Sequence, residues 1–188
     1  MNDCLETIKS YVPPIIRHIL KLRPGEIYLA GGSIRSIFDH TPIADYDLFF
    51  KNEEAAVEAF HFACNKMPLA VTTDSPWSRN IVGFGVPIQF IIKKFFDSPE
   101  ELIRQFDFTC CQWAFFANDA ENVSLVVAKQ TIQDTANRKI NIADLSNASA
   151  EQLNIRIGKY ISKGYSLSPK AMIACGEHSI KRELSPSF

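Results

Sequence analysis

The sequence predicts an α+β fold, a mixed β-sheet flanked by helices with a small helical C-terminal part. The order of local signals carries this: helix, strand, helix, strand, helix, then several strands, then helices. The strand signals are short apolar or alternating runs, and the helical signals recur at a period of 3–4 residues. No internal repeat, heptad or low-complexity segment competes with that layout.

Each element has a local reason. "IIRHILKL", 15–22, puts Ile15, Ile16, Ile19 and Leu20 on one helical face. Pro13-Pro14 suits the start of that helix, and Pro24-Gly25 its end. "EIYLA", 26–30, reads as a short buried strand. Gly31-Gly32 breaks it, and Ser33 can cap a short helix to about Phe38. "DYDLFF", 45–50, alternates as a strand does. "NEEAAVEAFHFACNKM", 52–67, is a helix with Asn52 as N-cap and acids in its first turn. "LAVTTD", 69–74, is strand-like, "SPWSRN", 75–80, is a turn or loop, and "IVGFG" with "PIQFIIKK" reads as a hairpin. "SPEELIRQF", 98–106, opens with a capping signature. "DFTCCQWAFF", 107–116, fits a helix or a strand. "NVSLVVA", 122–128, is a strand, and helices are expected over about 129–138, 149–163 and 168–181. The final "ELSPSF" reads as a frayed tail.

Bulk properties exclude several classes. The chain has 188 residues, 46% hydrophobic and 22% charged, so it is neither disordered nor collagen-like. A net charge of -1 provides no global field for nucleic acid. No apolar run is long enough to span a membrane. "MNDCLETIKS" has no secretory h-region. The five cysteines, at 4, 64, 110, 111 and 175, have neither zinc-site nor disulfide spacing. Scattered thiols without a secretion signal point to a cytoplasmic protein.

The chemistry concentrates in "LAGGSIRSIFDHTPIADYDLFF", 29–50. A strand has period 2, so Asp45 and Asp47 project from one face while Tyr46, Leu48 and Phe50 take the other. Such a pair describes either hard oxygen ligands for Mg²⁺ or an acidic strand edge in solvent. Gly31 and Gly32 sit between a strand and a helix, where amides approach an anion closely and the helix N-terminus favours phosphate. Arg35 follows in the first turn and can add a charge-assisted contact. Ser33 and Asp45 lie 12 residues apart across one short helix. Together, phosphate cradle and carboxylates suggest a nucleotide–metal site.

These residues resemble the head-domain signature of the polymerase-beta-type nucleotidyltransferases. The group nearest in pattern is the CCA-adding enzymes and bacterial poly(A) polymerases, with Gly-Gly-x-x-Arg-Asp, a short helix and Asp-x-Asp. Gly31, Gly32, Arg35, Asp45 and Asp47 match it, and Ser36 stands where the group usually has Asp. "RQFDFTCCQWAFF" is similar to the group's Arg-Arg-Asp-Phe-Thr motif, which binds the sugar of the incoming nucleotide. Asp107, Phe108 and Thr109 match, and Gln105 and Phe106 replace the arginines. Gln89, in "VPIQFII", occupies the strand where superfamily members often carry a third carboxylate. Arg156, in "LNIRIGKYISKGYSLS", is the suggestive position in a helix that reads the base in template-independent enzymes. The likeness covers about 27–117 and, more weakly, 118–167. It divides the chain into a nucleotidyltransferase head, 1–128, and a helical C-terminal extension, 129–188. The larger helical body and tail by which the group measures tRNA have no room in 188 residues.

The resemblance implies transfer of a nucleoside monophosphate from an NTP to a hydroxyl, with release of pyrophosphate. Asp45 and Asp47 would hold Mg²⁺ or Mn²⁺. Gly31, Gly32, Ser33 and Arg35 would hold the triphosphate, and Asp107 would meet the sugar or complete the metal shell. An RNA or DNA 3′ end or a second nucleotide is the implied acceptor, with a protein partner as another source of acceptor-binding elements. Compact stand-alone heads are common among phage-encoded and defence-associated members. The alternatives are a catalytically degenerate nucleotide-binding module of the same fold, or a protein-modifying enzyme of toxin or antiphage type. Beside the site, Trp77 is a candidate for base stacking and Arg79 for a phosphate contact. Each is otherwise part of an ordinary loop. Lys159, Lys163 and Lys170, with Tyr160 and Tyr165, form a basic aromatic stretch that suits an acceptor strand or a solvated helix face.

Overall fold

A computed structural model describes residues 2–83, 85–146 and 148–183. Apart from Glu183, the expected frayed tail lies outside the described residues. The chain opens with two helices, α1 (Asn2–Tyr11) and α2 (Pro14–Leu22), of which only the second was legible as apolar periodicity. Strand β1 (Ile27–Ala30) is wholly buried, and α3 (Gly32–Asp39) leads to β2 (Tyr46–Phe50). Helix α4 (Glu53–Lys66) is capped by Asn52, whose Oδ1 accepts from the Ala55 amide at 2.8 Å. Strands β3 (Val71–Asp74), β4 (Ser78–Val82) and β5 (Ile88–Ile91) follow. The expected turn at 75–80 is shorter than its sequence suggested, because Ser78, Arg79 and Asn80 already pair within β4.

Helix α5 (Pro99–Ile103) begins at Ser98, whose Oγ accepts from the Glu101 amide. The ambiguous segment 107–116 divides. Thr109–Cys111 form a 3₁₀ turn, and β6 (Trp113–Ala117) begins after Gln112. Strand β7 (Val123–Val127), helix α6 (Thr131–Ala136), β8 (Lys139–Ile140), α7 (Ala150–Ile161), β9 (Ser166–Leu167) and α8 (Pro169–Glu183) complete the order. The short parallel pair β8–β9 had no sequence signal.

Seven strands form one mixed sheet in the order β3-β4-β5-β2-β1-β6-β7. Only β2–β5 is parallel. Residue parity assigns the two faces. Leu29, Leu48, Phe50, Phe90, Trp113 and Phe115 point to the face covered by α1–α4 and build the main core. Tyr28, Ala30 and Ala114 point the other way, where Phe96, Leu102 and Ile103 cover them. A third cluster joins Phe108, Cys110 and Cys111 to Ile140, Leu153 and Tyr165, so the C-terminal helices are anchored to the segment before β6.

Candidate nucleotide and metal site

The second sheet face is where the candidate residues meet. Register places Ala30, Asp47, Gln89 and Asn80 in one row across β1, β2, β5 and β4. Asp45 lies just before β2, and both carboxylates line a cleft of about 360 Å³. That volume falls in the ~300–1,000 Å³ range of small-molecule sites. Gly32, Gln89, Asp107 and Arg156 line the same cleft, so six positions singled out by sequence, separated by over a hundred residues of chain, come together.

The charges are arranged in pairs. Asp47 is pushed up to about 7, first by burial and then by the Asp45 charge, with Lys159 pulling the other way. Two acids in a shared low-dielectric site disfavour joint ionisation. Asp107 is 7% exposed and accepts a hydrogen bond from the Arg156 guanidinium, while its own carbonyl accepts from the Ala143 amide. Among the described residues, no group of three or more His, Cys, Asp or Glu side chains gathers around one point. The donor set at Asp47 is therefore two carboxylates beside the Gln89 amide. Mg²⁺ is commonly held by one or two carboxylates with substrate phosphates and water completing its shell, so these donors fit it. A bound cation would offset both causes that raise Asp47, its burial first and then the Asp45 charge.

The glycine loop has a specific geometry. Gly31 caps α3 with φ 79° and ψ -133°, a conformation that favours glycine, and its amide donates to the Trp113 carbonyl at 3.1 Å. A Cβ there would lie 3.0 Å from the Phe106 ring, and one at Gly32 would lie 3.9 Å from the Tyr160 hydroxyl. Phe106 and Tyr160 thus wall the loop on two sides. The first amides of any helix lack intrahelical partners, and Gly32 brings this end of α3 to the cleft wall.

Four expected contacts are placed elsewhere. Arg35 is 1% exposed and does not line the cleft. Its guanidinium pairs with Asp39 at 2.9 Å, donates to Ser36 and Thr41, and lies over the rings of Tyr160 and Tyr165. The reason is helical geometry: Asp39 is one turn on, at i+4, and the aromatic pair of the C-terminal part closes over both. Ser33 is likewise buried, with an Oγ that lacks a hydrogen-bond partner. Arg79 projects from the opposite sheet face, where it lies over Phe60, because it is one residue out of phase with Asn80. Trp77 is half-exposed outside the cleft, with the Lys93 ammonium over its ring.

The cleft also holds residues that the sequence left ambiguous. Lys159 and Tyr160 line it together with Arg156. Their i, i+3, i+4 spacing on α7 was the available signal. Cys111 lines it too, its Sγ 2.6 Å from the Tyr160 hydroxyl and 3.8 Å from the Cys110 Sγ. Phe49 and Phe106 meet edge to face and give the cleft an apolar wall.

Comparison with known proteins gives the chain a family and a fold. The profile of a family described as "Gabija anti-defense 2 family protein" matches residues 4–138. A relative named Gabija anti-defense 2, from Bacillus phage SPbetaL7, is 26% identical over 152 residues, covering 81% of this chain and 37% of that protein. A CCA-adding enzyme in complex with CTP superposes with a TM-score of 0.74 at 15% identity, over 97% of this chain and 47% of the other. The Thermotoga maritima CCA-adding enzyme complexed with tRNA gives 0.68 at 15% identity, over 94% of this chain and 45% of the other. The fold is that of the nucleotidyltransferase domains of such enzymes, and the chain spans less than half the length of these relatives.

Proposed function

This chain belongs to the Gabija anti-defense 2 family, and from that premise we propose that it is a metal-dependent nucleotidyltransferase serving phage anti-defense. The observation that carries the reading is the convergence of Asp45, Asp47, Gly32 and Asp107 on one cleft, in a fold shared with nucleotide-transferring enzymes. Asp45 and Asp47 would hold Mg²⁺, which supplies charge neutralisation at the substrate phosphates. The amides at the start of α3 receive phosphate oxygens, and Tyr160 and Phe106 confine them there. Asp107, oriented by Arg156, accepts a hydrogen bond from a sugar hydroxyl. The acceptor oxygen then bonds to the α-phosphorus, the α–β bridging P–O bond breaks, pyrophosphate leaves, and the acceptor proton passes to water.

The test is incorporation of label from α-³²P-NTPs in the presence of Mg²⁺ or Mn²⁺. The Asp45→Ala/Asp47→Ala protein is expected to lose at least 100-fold in rate, in keeping with ~10²–10³ losses when a transition-state electrostatic contact is removed. Equal rates in the two proteins would sink the assignment. One observation favours a second reading, a nucleotide-binding module without turnover: Gln89, not an acid, stands in register beside Asp47. Calorimetry separates the two, because the module binds nucleotide without metal dependence or product.

A further inference from the structure

The cleft wall behind the glycine loop carries two adjacent thiols that the proposed transfer does not use. Cys110 and Cys111 end the 3₁₀ turn before β6 and are 0% and 4% exposed, yet Cys111 lines the cleft. Their Sγ atoms are 3.8 Å apart, and the Cys111 Sγ is 2.6 Å from the Tyr160 hydroxyl. The Arg35 guanidinium lies 5.1 Å from the centre of the Tyr160 ring. A sulfur between two hydrogen-bond donors and near a cation reacts as the thiolate. A second thiol beside it is the common companion of a redox-sensing cysteine.

The two thiols differ. Hydrogen bonding from Cys110 holds Cys111 below the ordinary thiol range, with Tyr160 and the Arg35 charge acting the same way against burial. That hydrogen bond, together with burial, pushes Cys110 up, so it keeps its proton. Cys4, Cys64 and Cys175 are more exposed, and burial raises the last two. Tyr160 has little freedom to yield. Phe108 and Tyr165 meet its ring edge to face, and Arg35 covers it. Its hydroxyl is 3.9 Å from where a Cβ on Gly32 would stand. An oxygen atom added to a sulfur already 2.6 Å from that hydroxyl displaces it toward the glycine loop.

We propose that Cys111 is a modification site for hydroperoxides, that Cys110 resolves the product, and that the modification closes the cleft to nucleotide. In the first step the Cys111 sulfur bonds to one peroxide oxygen and the O–O bond breaks. The second oxygen leaves as hydroxide and takes up the proton that Cys111 gave up, forming water. In the second step the Cys110 sulfur bonds to the Cys111 sulfur, the S–O bond breaks, and hydroxide leaves with the Cys110 proton as water. The thiol pair loses two electrons and the peroxide is reduced to water. Closure of the cleft rests on the nucleotide reading above, whereas the thiol chemistry stands apart from it.

The experiment treats the reduced full chain with limiting hydrogen peroxide and maps the products by peptide mass, with and without dimedone to trap sulfenic acid. Oxidation is expected at Cys111 before the more exposed Cys4, Cys64 and Cys175, ending in a Cys110–Cys111 disulfide that dithiothreitol reverses. Cys110→Ser is expected to leave dimedone-trapped Cys111 instead, and Tyr160→Phe to slow Cys111 oxidation roughly three- to tenfold. Calorimetric NTP affinity is expected to fall by roughly tenfold or more on oxidation and to return with dithiothreitol. In Cys111→Ser, peroxide is expected to leave the variant's affinity where it was. Oxidation that begins at the more exposed cysteines and spares Cys111 overturns the site. Oxidised Cys111 with undiminished NTP affinity overturns the closure and leaves the nucleotide reading standing. Oxidation at Cys111 in a chain that binds no NTP when reduced overturns the nucleotide reading and leaves the thiol site standing.

Discussion

Arg35 and Asp39 form an ion pair whose side chains are 1% and 2% exposed, and removing one partner strands the other. Truncating half of a buried pair typically costs about 3–5 kcal/mol, because the remaining charge keeps its desolvation penalty without its counter-charge. Asp39→Asn should therefore lower the urea-unfolding free energy by roughly that amount. The pH dependence follows from the same residue. Burial alone would raise the Asp39 carboxyl, but hydrogen bonds from Thr41 and Tyr165 and the Arg35 charge outweigh it and hold it below the usual range. A depressed folded value means that the unfolded chain binds more protons between the two values. The stabilisation is thus present above about pH 4 and lost as pH falls through the folded value. Asp39→Asn should flatten the acid limb of a stability–pH curve, and an unchanged limb would contradict this. Sequence spacing exposed Arg35 as unusual but not its direction. The groups that draw it inward, Tyr160 and Tyr165, lie far along the chain.

At the scale of elements, the turn from β1 into α3 depends on Gly31. Its positive φ strains any side chain, and a Cβ would meet the Phe106 ring at 3.0 Å, so that ring would have to give way. Gly31→Ala should cost about 1–3 kcal/mol in denaturant unfolding and weaken nucleotide binding with it, whereas Gly32→Ala, meeting only ordinary contact, should fold nearly as well as the wild type. The β1-α3-β2 unit was legible because its glycines and period-2 acids lie within one short stretch of sequence, but the expected Ser33 cap is not formed, because Gly31 caps α3 and Ser33 is buried inside the helix. Capping chemistry likewise announced α4 and α5 through Asn52 and Ser98. Elements whose reasons are tertiary were not legible. The parallel pair β8–β9 exists only because the two segments meet, whereas β3, exposed throughout, was still readable as strand-like. Helix α7 was expected over about 149–163 with Arg156 as its candidate contact, and the structure starts it at a Ser149–Gln152 capping box, while the places of Lys159 and Tyr160 in the cleft are set by tertiary packing.

At the scale of the molecule, the cleft draws one wall from the sheet and another from α7, so a bound nucleotide would hold the two together. Ligand binding to the folded state alone stabilises by about 2.7 kcal/mol at a hundredfold excess over Kd, or roughly 5–10 °C for a chain of this size. An NTP with Mg²⁺ should raise the thermal midpoint by that amount, and a shift retained in Asp45→Ala/Asp47→Ala would dissociate binding from the acids. Sequence located both walls of this site but not their meeting, which depends on strand order. That order also governs how the chain folds as it is made. Strand β1 sits between β2, its neighbour in sequence, and β6, which is synthesised much later. Until Ala114 arrives beside Ala30, β1 presents an unpaired edge at what will be the centre of the sheet. Closing so long a loop is slow relative to local hairpins. The nascent chain therefore carries a sticky, half-built sheet from the completion of β1 until β6 emerges, and its yield in the cell should depend on how long that edge stays open.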